Sequence, residues 1–348
     1  MKIVLDCERM KYPNTGLYTF CDRLSLAMLD TISPDDHLSL YIYAKTGHFL
    51  KDKVHYIERN LIHKFLPVCS KDTDIWHTTY QLSKYYGGSK HTKNILTVHD
   101  LNFLYEKDDL SKMSKYIKKH QERIDRSDHI VAISEFTKKD ILENLDIKGK
   151  PISVIHNGCD VIEYPGFESP LYKPSAPYIF SIGTIIPKKN FHVLPAILVG
   201  NDYELIIAGI VSDYTEKIKE EAKRHGVENR LKIVGPISDE DKYWYLKNCK
   251  AFAFPSLAEG FGFPAIEAMH FGKPVFLSTR TSLPEVGGKH AYYFENFDPN
   301  YMQNVFQDGM TDYQNNKGKK DLIIKHADQF SWEKCANKYY EVYKDIIL

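Results

Sequence analysis

Short runs of β-branched and aromatic residues alternate along the first half of the chain with longer segments of helical period. This alternation predicts βα units and therefore a parallel sheet covered by helices. The predicted strands are residues 2–6, 38–43, 74–77, 94–99, 129–134 and 152–156. The predicted helices are residues 16–29, 108–126 and 135–145.

The same alternation starts again beyond a proline-rich stretch. Residues 159–177 carry four prolines and have neither a helical nor a strand period, which is typical of a linker. The strands predicted after it are residues 178–183, 203–209, 231–235, 251–256, 274–278 and 291–294. The helices predicted there are residues 189–198, 213–225, 238–247, 264–271 and 331–347, the last with Ser331 as N-cap and Glu333 in its first turn.

This pattern predicts an α/β protein of two doubly wound, Rossmann-like domains facing each other across a cleft. We expect an N-terminal domain at 1–160, a linker at 161–177 and a C-terminal domain at 178–330. Residues 331–348 form a last helix that we expect to pack back toward the first domain. Ligands of such sheets bind beyond the carboxyl ends of the strands and between domains.

Composition removes several classes of protein. The 348 residues allow two domains, and 46 basic residues balance 46 acidic ones, so the overall charge does not indicate a nucleic-acid partner. The six cysteines include no C-x-x-C pair, which argues against a disulfide framework and a zinc site. The apolar run among the first residues is too short for a signal peptide, and no apolar run along the chain is long enough for a membrane-spanning helix. We therefore expect a cytoplasmic protein.

Residues 256–275, SLAEGFGFPAIEAMHFGKPV, place two carboxylates on either side of a glycine-rich turn. Pro264 is favoured at the first helical position, and Gly272 is a natural end for that helix. Gly260 and Gly262 therefore precede a helix N-terminus, where backbone N–H groups attract phosphate or electron-rich hydroxyls. Glu259 before the turn and Glu267 in the first helical turn can accept hydroxyl groups from a sugar and a ribose. The residues alone leave open a simpler role, in which Glu267 complements the helix dipole and Glu259 is solvated.

A dinucleotide fingerprint is the alternative for this turn, since residues 260–265 match G-x-G-x-x-A. That fingerprint needs its first glycine directly after a strand and an acidic residue at the end of the next strand. Residues 256–259 intervene here, and the next strand ends without a carboxylate, because Glu285 lies in a turn. The missing context argues against a nicotinamide or flavin cofactor.

Two adjacent lysines form the second candidate feature. Lys188 and Lys189 follow a strand and the Gly183 turn at a predicted helix start, where the helix dipole disfavours cations. A bound anion such as a diphosphate would neutralise them. A solvated lysine pair is the alternative.

Two features of the first half also point to a site. His99, followed by Asp100, ends a predicted strand and can face a cleft, although a packed histidine is the commoner case. Asn14 and Gly16 lie in a turn ahead of the first helix, where glycine allows a close backbone approach to a ligand.

The motif EGFGFPAIEAM (259–269), with SLPEVGG (282–288) after it, resembles the family 4 retaining glycosyltransferases of the GT-B fold. The resemblance is strong over 178–294, moderate over 94–158 and weaker at the N-terminus. It implies a metal-independent hexosyltransferase with no cofactor beyond its donor, a nucleotide diphosphate sugar. GDP-mannose as donor and a glycan or lipid-linked acceptor in surface polysaccharide assembly agree with the habits of the family.

The resemblance also implies roles for individual residues. His99 and Glu259 would be the catalytic residues, with Glu259 on the donor hexose and His99 near donor and acceptor. The donor-binding residues would be Gly16 in the N-terminal glycine loop, Lys188 and Lys189 on the diphosphate, Ile237 against the nucleobase, Gly260, Phe261 and Gly262 at the sugar, and Glu267 on the ribose.

The chain departs from the family pattern at three places. Thr184 and Lys188 stand where arginine is usual, and lysine lacks the bidentate fork of arginine, so the diphosphate would rest mainly on Lys189. His156 replaces a proline in the segment VIHNGCD, where Asn157 and Gly158 are typical of a turn.

Residues 110–126 form a helix with a basic stripe. At 100° per residue, its basic residues and its apolar residues fall on two separate faces of the helix. The stripe consists of Lys112, Lys115, Lys119, Arg123 and Arg126, and the apolar face of Leu110, Met113, Ile117 and Ile124. A solvated surface helix is one interpretation. Contact with an anionic membrane or a lipid diphosphate, and so a peripheral location at the membrane, is the other.

Two other hypotheses accompany the transferase. A nucleotide-sugar epimerase or a phosphorylase-like GT-B enzyme would use the same donor site, and a non-catalytic protein would bind the sugar nucleotide without turnover. Loss of Glu259, Glu267 or the lysine pair would favour the non-catalytic protein, and all four residues are present.

Overall fold

The computed structural model describes residues 1–13, 15–68, 72–106 and 110–348. Asn14, Cys69 and residues 108–109 of the predicted helix 108–126 lie outside this description. The chain forms two compact units, one of Met1–Gly158 with Phe330–Leu348 and one of Cys159–Gln329. In the described ranges no helix combines the length and the apolar character that crossing a membrane requires.

The first unit is built on a parallel seven-stranded sheet in the order β3-β2-β1-β4-β5-β6-β7. Its strands are β1 (Lys2–Asp6), β2 (His37–Ile42), β3 (His55–Glu58), β4 (Ile75–Thr78), β5 (Lys93–Val98), β6 (His129–Ala132) and β7 (Ile152–Val154). Its helices are α1 (Gly16–Thr31), α2 (Phe103–Glu106), α3 (Leu110–Arg126), α4 (Glu135–Asn144) and the C-terminal α11 (Trp332–Ile347).

Hydrogen bonds and buried rings fix α11 against the first sheet. His77 of β4 bonds to the Tyr343 hydroxyl at 2.6 Å and to the Thr97 hydroxyl at 2.7 Å. Tyr339 reaches the same Thr97 hydroxyl at 2.8 Å. Trp332 fits over Gly158, where an added Cβ would lie 2.3 Å from its backbone nitrogen. This buried polar network satisfies its own groups and attaches residues 330–348 to the first unit.

The second unit has a parallel six-stranded sheet in the order β10-β9-β8-β11-β12-β13. Its strands are β8 (Tyr178–Ile182), β9 (Glu204–Ala208), β10 (Leu231–Gly235), β11 (Ala251–Phe254), β12 (Val275–Ser278) and β13 (Tyr292–Phe294). Its helices are α5 (Tyr214–Arg224), α6 (Asp239–Asn248), α7 (Phe263–His270), α8 (Leu283–Gly287), α9 (Pro299–Asn315) and α10 (Lys319–Ala327). Strands β8, β9, β11 and β12 are buried along nearly their whole length, as expected of central parallel strands.

Several predicted elements differ from those of the structure. Residues 191–198 form a 3-10 helix rather than an α-helix, with Pro195 inside it. The edge strand β3 and the helices α2, α8, α9 and α10 were not predicted, and Glu285 lies in α8 rather than in a turn. Gly16 is the first residue of α1 and not part of the preceding turn, because Thr15 caps the helix by accepting from the Tyr18 amide.

The segment predicted as a linker, 161–177, belongs to the second unit. Its backbone is held by side chains of that unit: the Leu171 amide donates to Asp241 at 2.8 Å, and the Tyr172 amide donates to the Tyr245 hydroxyl at 2.9 Å. The Glu204 carboxylate accepts from the Tyr172 hydroxyl and the Ser175 amide. A proline-rich composition indicates irregular backbone, but these hydrogen bonds fix it in place.

Candidate functional site

The carboxyl edge of the second sheet is bare of side chains where β8 and β9 end. Gly183 and Gly209 follow these strands, and a Cβ added to Gly209 would lie 1.9 Å from the Gly183 carbonyl oxygen. The Gly209 amide donates to the Gly235 carbonyl at 2.8 Å, at the end of β10. Backbone therefore lines this edge, as at the phosphate-binding edge of doubly wound sheets.

Lys189 and Glu259 form an ion pair beside this edge. The ammonium Nζ of Lys189 lies 2.5 Å from Oε1 of Glu259, and each side chain is 14% exposed. The same ammonium lies 4.9 Å from the centre of the Phe254 ring at the end of β11. The structure thus joins the residue predicted for the diphosphate to the one predicted for the hexose.

Backbone hydrogen bonds hold the two segments of this ion pair together. The Lys188 carbonyl accepts from the Leu257 amide at 2.8 Å and from the Ser256 hydroxyl at 3.2 Å. Pro187–Lys189 form a short 3-10 helix, which ends at Asn190 in the left-handed conformation. The side chain of Lys188 is half-buried. Since the scaffold is fixed, a ligand that separates Lys189 from Glu259 needs to move only side chains.

The glycine-rich turn is held by the loop after β12. The Thr281 hydroxyl accepts from the Glu259 amide at 2.9 Å, and the Ser282 hydroxyl donates to the Glu259 and Phe261 carbonyls at 3.0 and 2.9 Å. Phe261 is buried. Gly262 caps α7 with φ +112°, where side chains are strained, and an added Cβ would lie 2.8 Å from Leu283.

Glu267 lies in the second turn of α7, not in the first as predicted, because the helix starts at Phe263 with Pro264 second. Its carboxylate accepts from the Lys242 ammonium at 3.0 Å and faces the Tyr243 hydroxyl at 3.5 Å. Burial acts to lower the pKa of Lys242, but Glu267, together with Tyr243 and Asp239, outweighs burial and the pKa is raised. Glu267 is therefore held by a charge partner on α6 instead of complementing the dipole of its own helix.

Ile237 is half-buried in the loop between β10 and α6. Ser238, the next residue, caps α6 in a reciprocal box with Asp241. Because α6 also carries Lys242, the loop predicted to contact the nucleobase is directly attached to the helix that holds Glu267.

In the first unit, His99 follows β5 and is half-buried. Its Nε2 lies 2.8 Å from the Thr79 carbonyl, which can only accept, so Nε2 carries the proton and Nδ1 is left as an acceptor. Its backbone amide donates to the Gln81 side chain at 3.2 Å. Burial lowers the pKa of His99 to about 4, so the imidazole is neutral near pH 7.

The ring of His99 also packs on α1, the helix that begins at Gly16. The Phe20 ring meets it edge-on with centroids 4.7 Å apart, and the same Phe20 ring packs on Trp332 and Tyr339 of α11. A Cβ added to Gly16 would have no neighbour within 4 Å, so the space there is open. Gly16 and His99 are thus linked through α1.

Sequence reasoning missed the residues that hold these groups. Lys242 pairs with Glu267 from another helix, Thr281 and Ser282 fix the glycine-rich turn, and Thr79 and Gln81 orient His99. Ser282 opens the SLPEVGG motif, but the motif does not reveal its role, and the others belong to no motif, since each acts through a contact made in the folded unit. The position of Thr79 and Gln81 just after β4 was the one available signal, because His99 directly follows the neighbouring β5.

Asp6 at the end of β1 was also missed. Its carboxylate accepts from the Ser83 hydroxyl at 2.5 Å, and burial raises its pKa to about 7. Its carbonyl accepts from the Thr79 hydroxyl, so Thr79 joins Asp6 to His99.

The predicted basic helix, α3, is only partly as expected. Lys115 and Arg126 are exposed, but Arg123 is half-buried and donates from Nε to the Ser83 carbonyl at 2.9 Å. On the apolar face Ile124 is buried, whereas Leu110, predicted to be in the core, is 78% exposed. Leu110 is the first residue of α3 and lies beyond the edge of the packed helix face.

The second-unit site offers a chemistry of charge and hydroxyl groups. A lysine ammonium, two carboxylates and a glycine-capped helix N-terminus can bind an anion and several hydroxyls together. Among the residues that the structure describes, no three His, Cys, Asp or Glu side chains are grouped to hold a metal ion.

Two family models match the chain. The model described as "Glycosyl transferases group 1" matches residues 167–344, and the model described as "Glycosyltransferase Family 4" matches residues 54–163. Together they match part of the first unit and nearly all of the second.

Two relatives from Escherichia coli illustrate the similarity. "Serotype-specific mannosyltransferase WbdA" is 31% identical over 266 residues, which are 70% of this chain and 32% of the relative, so the chain spans about a third of its length. "O-antigen chain mannosyltransferase B" is 25% identical over 396 residues and is covered over 100% of its length and 99% of this chain.

Solved structures support the fold. Sucrose-phosphate synthase from Thermosynechococcus elongatus superposes with a TM-score of 0.74 at 16% identity, covering 99% of both chains. Anabaena Alr3699/HepE in complex with UDP-glucose superposes with a TM-score of 0.69 at 16% identity, covering 99% of this chain and 100% of that one. The predicted GT-B architecture of two Rossmann-like domains is confirmed, and the chain belongs to the group 1 glycosyl transferases.

Proposed function

We propose that this protein is a retaining hexosyltransferase that moves mannose from a nucleotide diphosphate sugar to a glycan or lipid-linked acceptor in surface polysaccharide assembly. The observation that carries the proposal is the Lys189–Glu259 ion pair beside the glycine-lined edge of the second sheet. The mannosyltransferase relatives support the sugar, and HepE with its bound UDP-glucose supports the class of donor.

Donor binding exchanges the partners of this ion pair. The diphosphate oxygens replace Glu259 on the Lys189 ammonium, and the freed carboxylate accepts hydrogen bonds from hydroxyls of the hexose. Glu267 accepts from the ribose hydroxyls. Each charged group therefore has a partner before and after binding, so neither is left buried and unpaired.

The same groups promote transfer. Negative charge develops on the diphosphate as the bond to the hexose breaks, and Lys188, Lys189 and the N-terminus of α7 stabilise it. In the first unit, neutral His99 offers Nδ1 as an acceptor for a hydroxyl of the donor or acceptor sugar. Fixed positive groups of the chain thus stabilise the charge of the leaving diphosphate, as a divalent cation does in other transferases.

The first experiment is a thermal-shift titration with UDP, GDP and ADP. We expect one nucleotide to raise the melting temperature of the parent and Lys189→Ala to abolish the rise. Lys223→Ala is the matched control, because it removes an exposed lysine of α5 outside the site. No shift with any nucleotide at millimolar concentration, or an unchanged shift in Lys189→Ala, would refute the donor site.

The second experiment identifies the reaction. With GDP-mannose and a mannoside acceptor, proton NMR of the new anomeric centre should show the α configuration of the donor. Sugar converted without any acceptor would favour an epimerase, and donor binding without turnover would favour a non-catalytic binding protein. Inversion would contradict the proposed retention.

Metal independence is tested by chelation. Because lysines supply the charge at the leaving diphosphate, EDTA should leave the transfer rate within about twofold of its untreated value. A large loss of rate that Mg²⁺ or Mn²⁺ restores would contradict this part of the proposal.

The proposed acceptor side includes contact of α3 with an anionic membrane or a lipid diphosphate. Its 17 residues carry six basic and two acidic side chains. Such a helix is attracted to anionic lipid headgroups.

A further inference from the structure

One short segment of the first unit exposes four large apolar side chains. Leu61 is 67% exposed, Ile62 57%, Phe65 86% and Leu66 58%. They lie within six residues, on a 3-10 helix (Leu61–Lys64) and the turn after it. An exposed cluster of this kind marks a contact with a partner or a membrane. We call Leu61, Ile62, Phe65 and Leu66 the apolar patch.

The backbone under the apolar patch is anchored at both ends. Asn60 caps the 3-10 helix in a reciprocal box with His63, and His63 contacts the Tyr41 hydroxyl at 3.1 Å. Beyond the patch, the Val68 amide donates to the Tyr86 carbonyl at 2.9 Å. Val68 is buried against Tyr41 and other residues of the sheet. The segment therefore presents its apolar side chains outward from a fixed base.

The apolar patch and α3 belong to the same layer over the first sheet. Val68 packs in a cluster with Trp76 of β4, and α3 packs in a cluster with Leu96 of β5. Trp76 and Thr78 lie on one face of β4, and Thr78 pairs in register with Leu96, so both clusters lie on that face.

Direct contacts join the two parts of this layer. The Arg126 guanidinium at the end of α3 lies 4.8 Å from the centre of the Tyr86 ring, and the Tyr86 carbonyl binds Val68. Exposed Lys84 lies in the same connecting segment. The segment that carries the apolar patch is thus joined to the basic helix through Val68 and Tyr86, and exposed Leu110 adds an apolar side chain at the start of α3.

Apolar side chains next to a cluster of basic ones match the chemistry of an anionic bilayer. Phe and Leu enter the boundary between headgroups and acyl chains, while Lys and Arg bind the lipid phosphates. The net charge of α3, six basic against two acidic residues, supplies the complementary sign. A second copy of this chain would bring the same basic surface and be repelled by it.

We propose that the apolar patch inserts into the surface of an anionic membrane, with the basic side chains of α3 on the lipid phosphates. This inference deepens the membrane contact proposed for α3 and is independent of the donor site. It holds the first unit at the surface where a lipid-linked acceptor would be found.

Insertion is measured with a tryptophan at the most exposed position of the apolar patch. Phe65→Trp is mixed with vesicles of phosphatidylcholine, with and without phosphatidylglycerol, and the parent spectrum is subtracted. We expect a blue shift and quenching by lipids brominated in the acyl chains, both stronger with phosphatidylglycerol. Leu171→Trp, at an exposed leucine of the second unit, is the matched control and should show neither change.

Binding is measured by flotation of the full chain with the same vesicles. Replacing the four residues of the apolar patch by serine should raise the lipid concentration for half binding by about tenfold or more. Leu171→Ser should leave it unchanged. An unaltered thermal shift with the donor nucleotide shows that the variant is folded and separates this test from failure of the proposed function.

Three outcomes overturn the proposal. One is a parent that does not float with anionic vesicles, and another is Phe65→Trp fluorescence that brominated acyl chains do not quench. The third is a parent that sediments as a dimer without lipid and becomes monomeric in the serine variant, which would assign the apolar patch to self-association.

Discussion

The candidate residues of the two units differ in how they are held. In the second unit, Lys189–Glu259 and Lys242–Glu267 are ion pairs with little exposure. In the first, His99 is neutral and its imidazole donates to a backbone carbonyl. An ion pair must exchange a charged partner before it binds a ligand, whereas a neutral imidazole needs no exchange. The second unit is therefore suited to an anionic donor, and the first to neutral hydroxyls.

The largest effect is expected from breaking the Lys242–Glu267 pair. Glu267→Ala leaves the Lys242 ammonium without its main partner and should lower the free energy of unfolding by about 3 kcal/mol. Lys242→Ala in the same chain should recover most of that loss in chemical denaturation. Nucleotide binding should stay lost in both variants, because the ribose partner is gone.

This double variant separates structure from recognition at Glu267. If removal of both charges restores nucleotide binding together with stability, Glu267 has only a structural role. Glu220→Ala, at an exposed position of α5, is the control for loss of a glutamate.

The Lys189–Glu259 pair gives the next effect. Glu259→Gln keeps the shape but frees Lys189, so free nucleoside diphosphate should bind about tenfold more tightly. Transfer should fall about 100-fold, since an amide accepts sugar hydroxyls less well than a carboxylate. Calorimetry with the diphosphate and a rate assay with the donor sugar measure the two changes. Weaker diphosphate binding in Glu259→Gln would refute the exchange of partners.

The sequence predicted most central strands within one or two residues, because their buried runs are continuous. It failed for β3, an edge strand of four residues in which no residue is buried. It also missed α9, whose 17 residues are rich in Asn, Gln, Asp and Tyr, although Met302, Phe306 and Met310 are buried on one face of this helix. The strand β3 buries little and so leaves little periodic pattern, whereas in α9 the many polar residues obscure the few apolar ones.

Local sequence pattern was likewise of limited use in predicting the site. The turn around Gly262 was predictable because proline and glycine have local effects on backbone. The pairing of Glu259 with Lys189 joins residues 70 apart in the sequence, and that of Glu267 with Lys242 joins residues 25 apart. No local pattern contains these pairs, since they exist only after the strands have aligned.

A smaller effect is expected at the neutral histidine. His99→Ala should slow transfer by on the order of 30-fold, about 2 kcal/mol, through loss of an uncharged hydrogen-bond acceptor. Diphosphate affinity should be unchanged, because the donor-binding lysines lie in the second unit. His99→Asn, which retains polar side-chain atoms, should recover part of the rate. A change in diphosphate affinity equal to the change in rate would contradict the separation of roles.

The smallest effect concerns stability against pH in the first unit. Burial lowers the pKa of His77 to about 3 and that of His99 to about 4, while it raises the pKa of Asp6 to about 7. Between about pH 4.5 and 5.5 the unfolded chain binds nearly two protons on the histidines that the folded chain does not bind. Folded Asp6 binds one proton that the unfolded chain lacks. The unfolded chain therefore binds one more proton, and these groups raise stability with pH by about 1.4 kcal/mol per unit.

His77→Gln tests that balance. Glutamine can still bond to the Thr97 and Tyr343 hydroxyls. It cannot bind a proton, however, so the unfolded variant binds one proton fewer than the unfolded parent. The slope of unfolding free energy against pH should therefore fall by about 1.4 kcal/mol per pH unit relative to the parent. His91→Gln, at an exposed position, should leave the slope as it is. Equal slopes in parent and His77→Gln would mean that His77 is charged in the folded unit, and the first unit would then not be the neutral counterpart of the second.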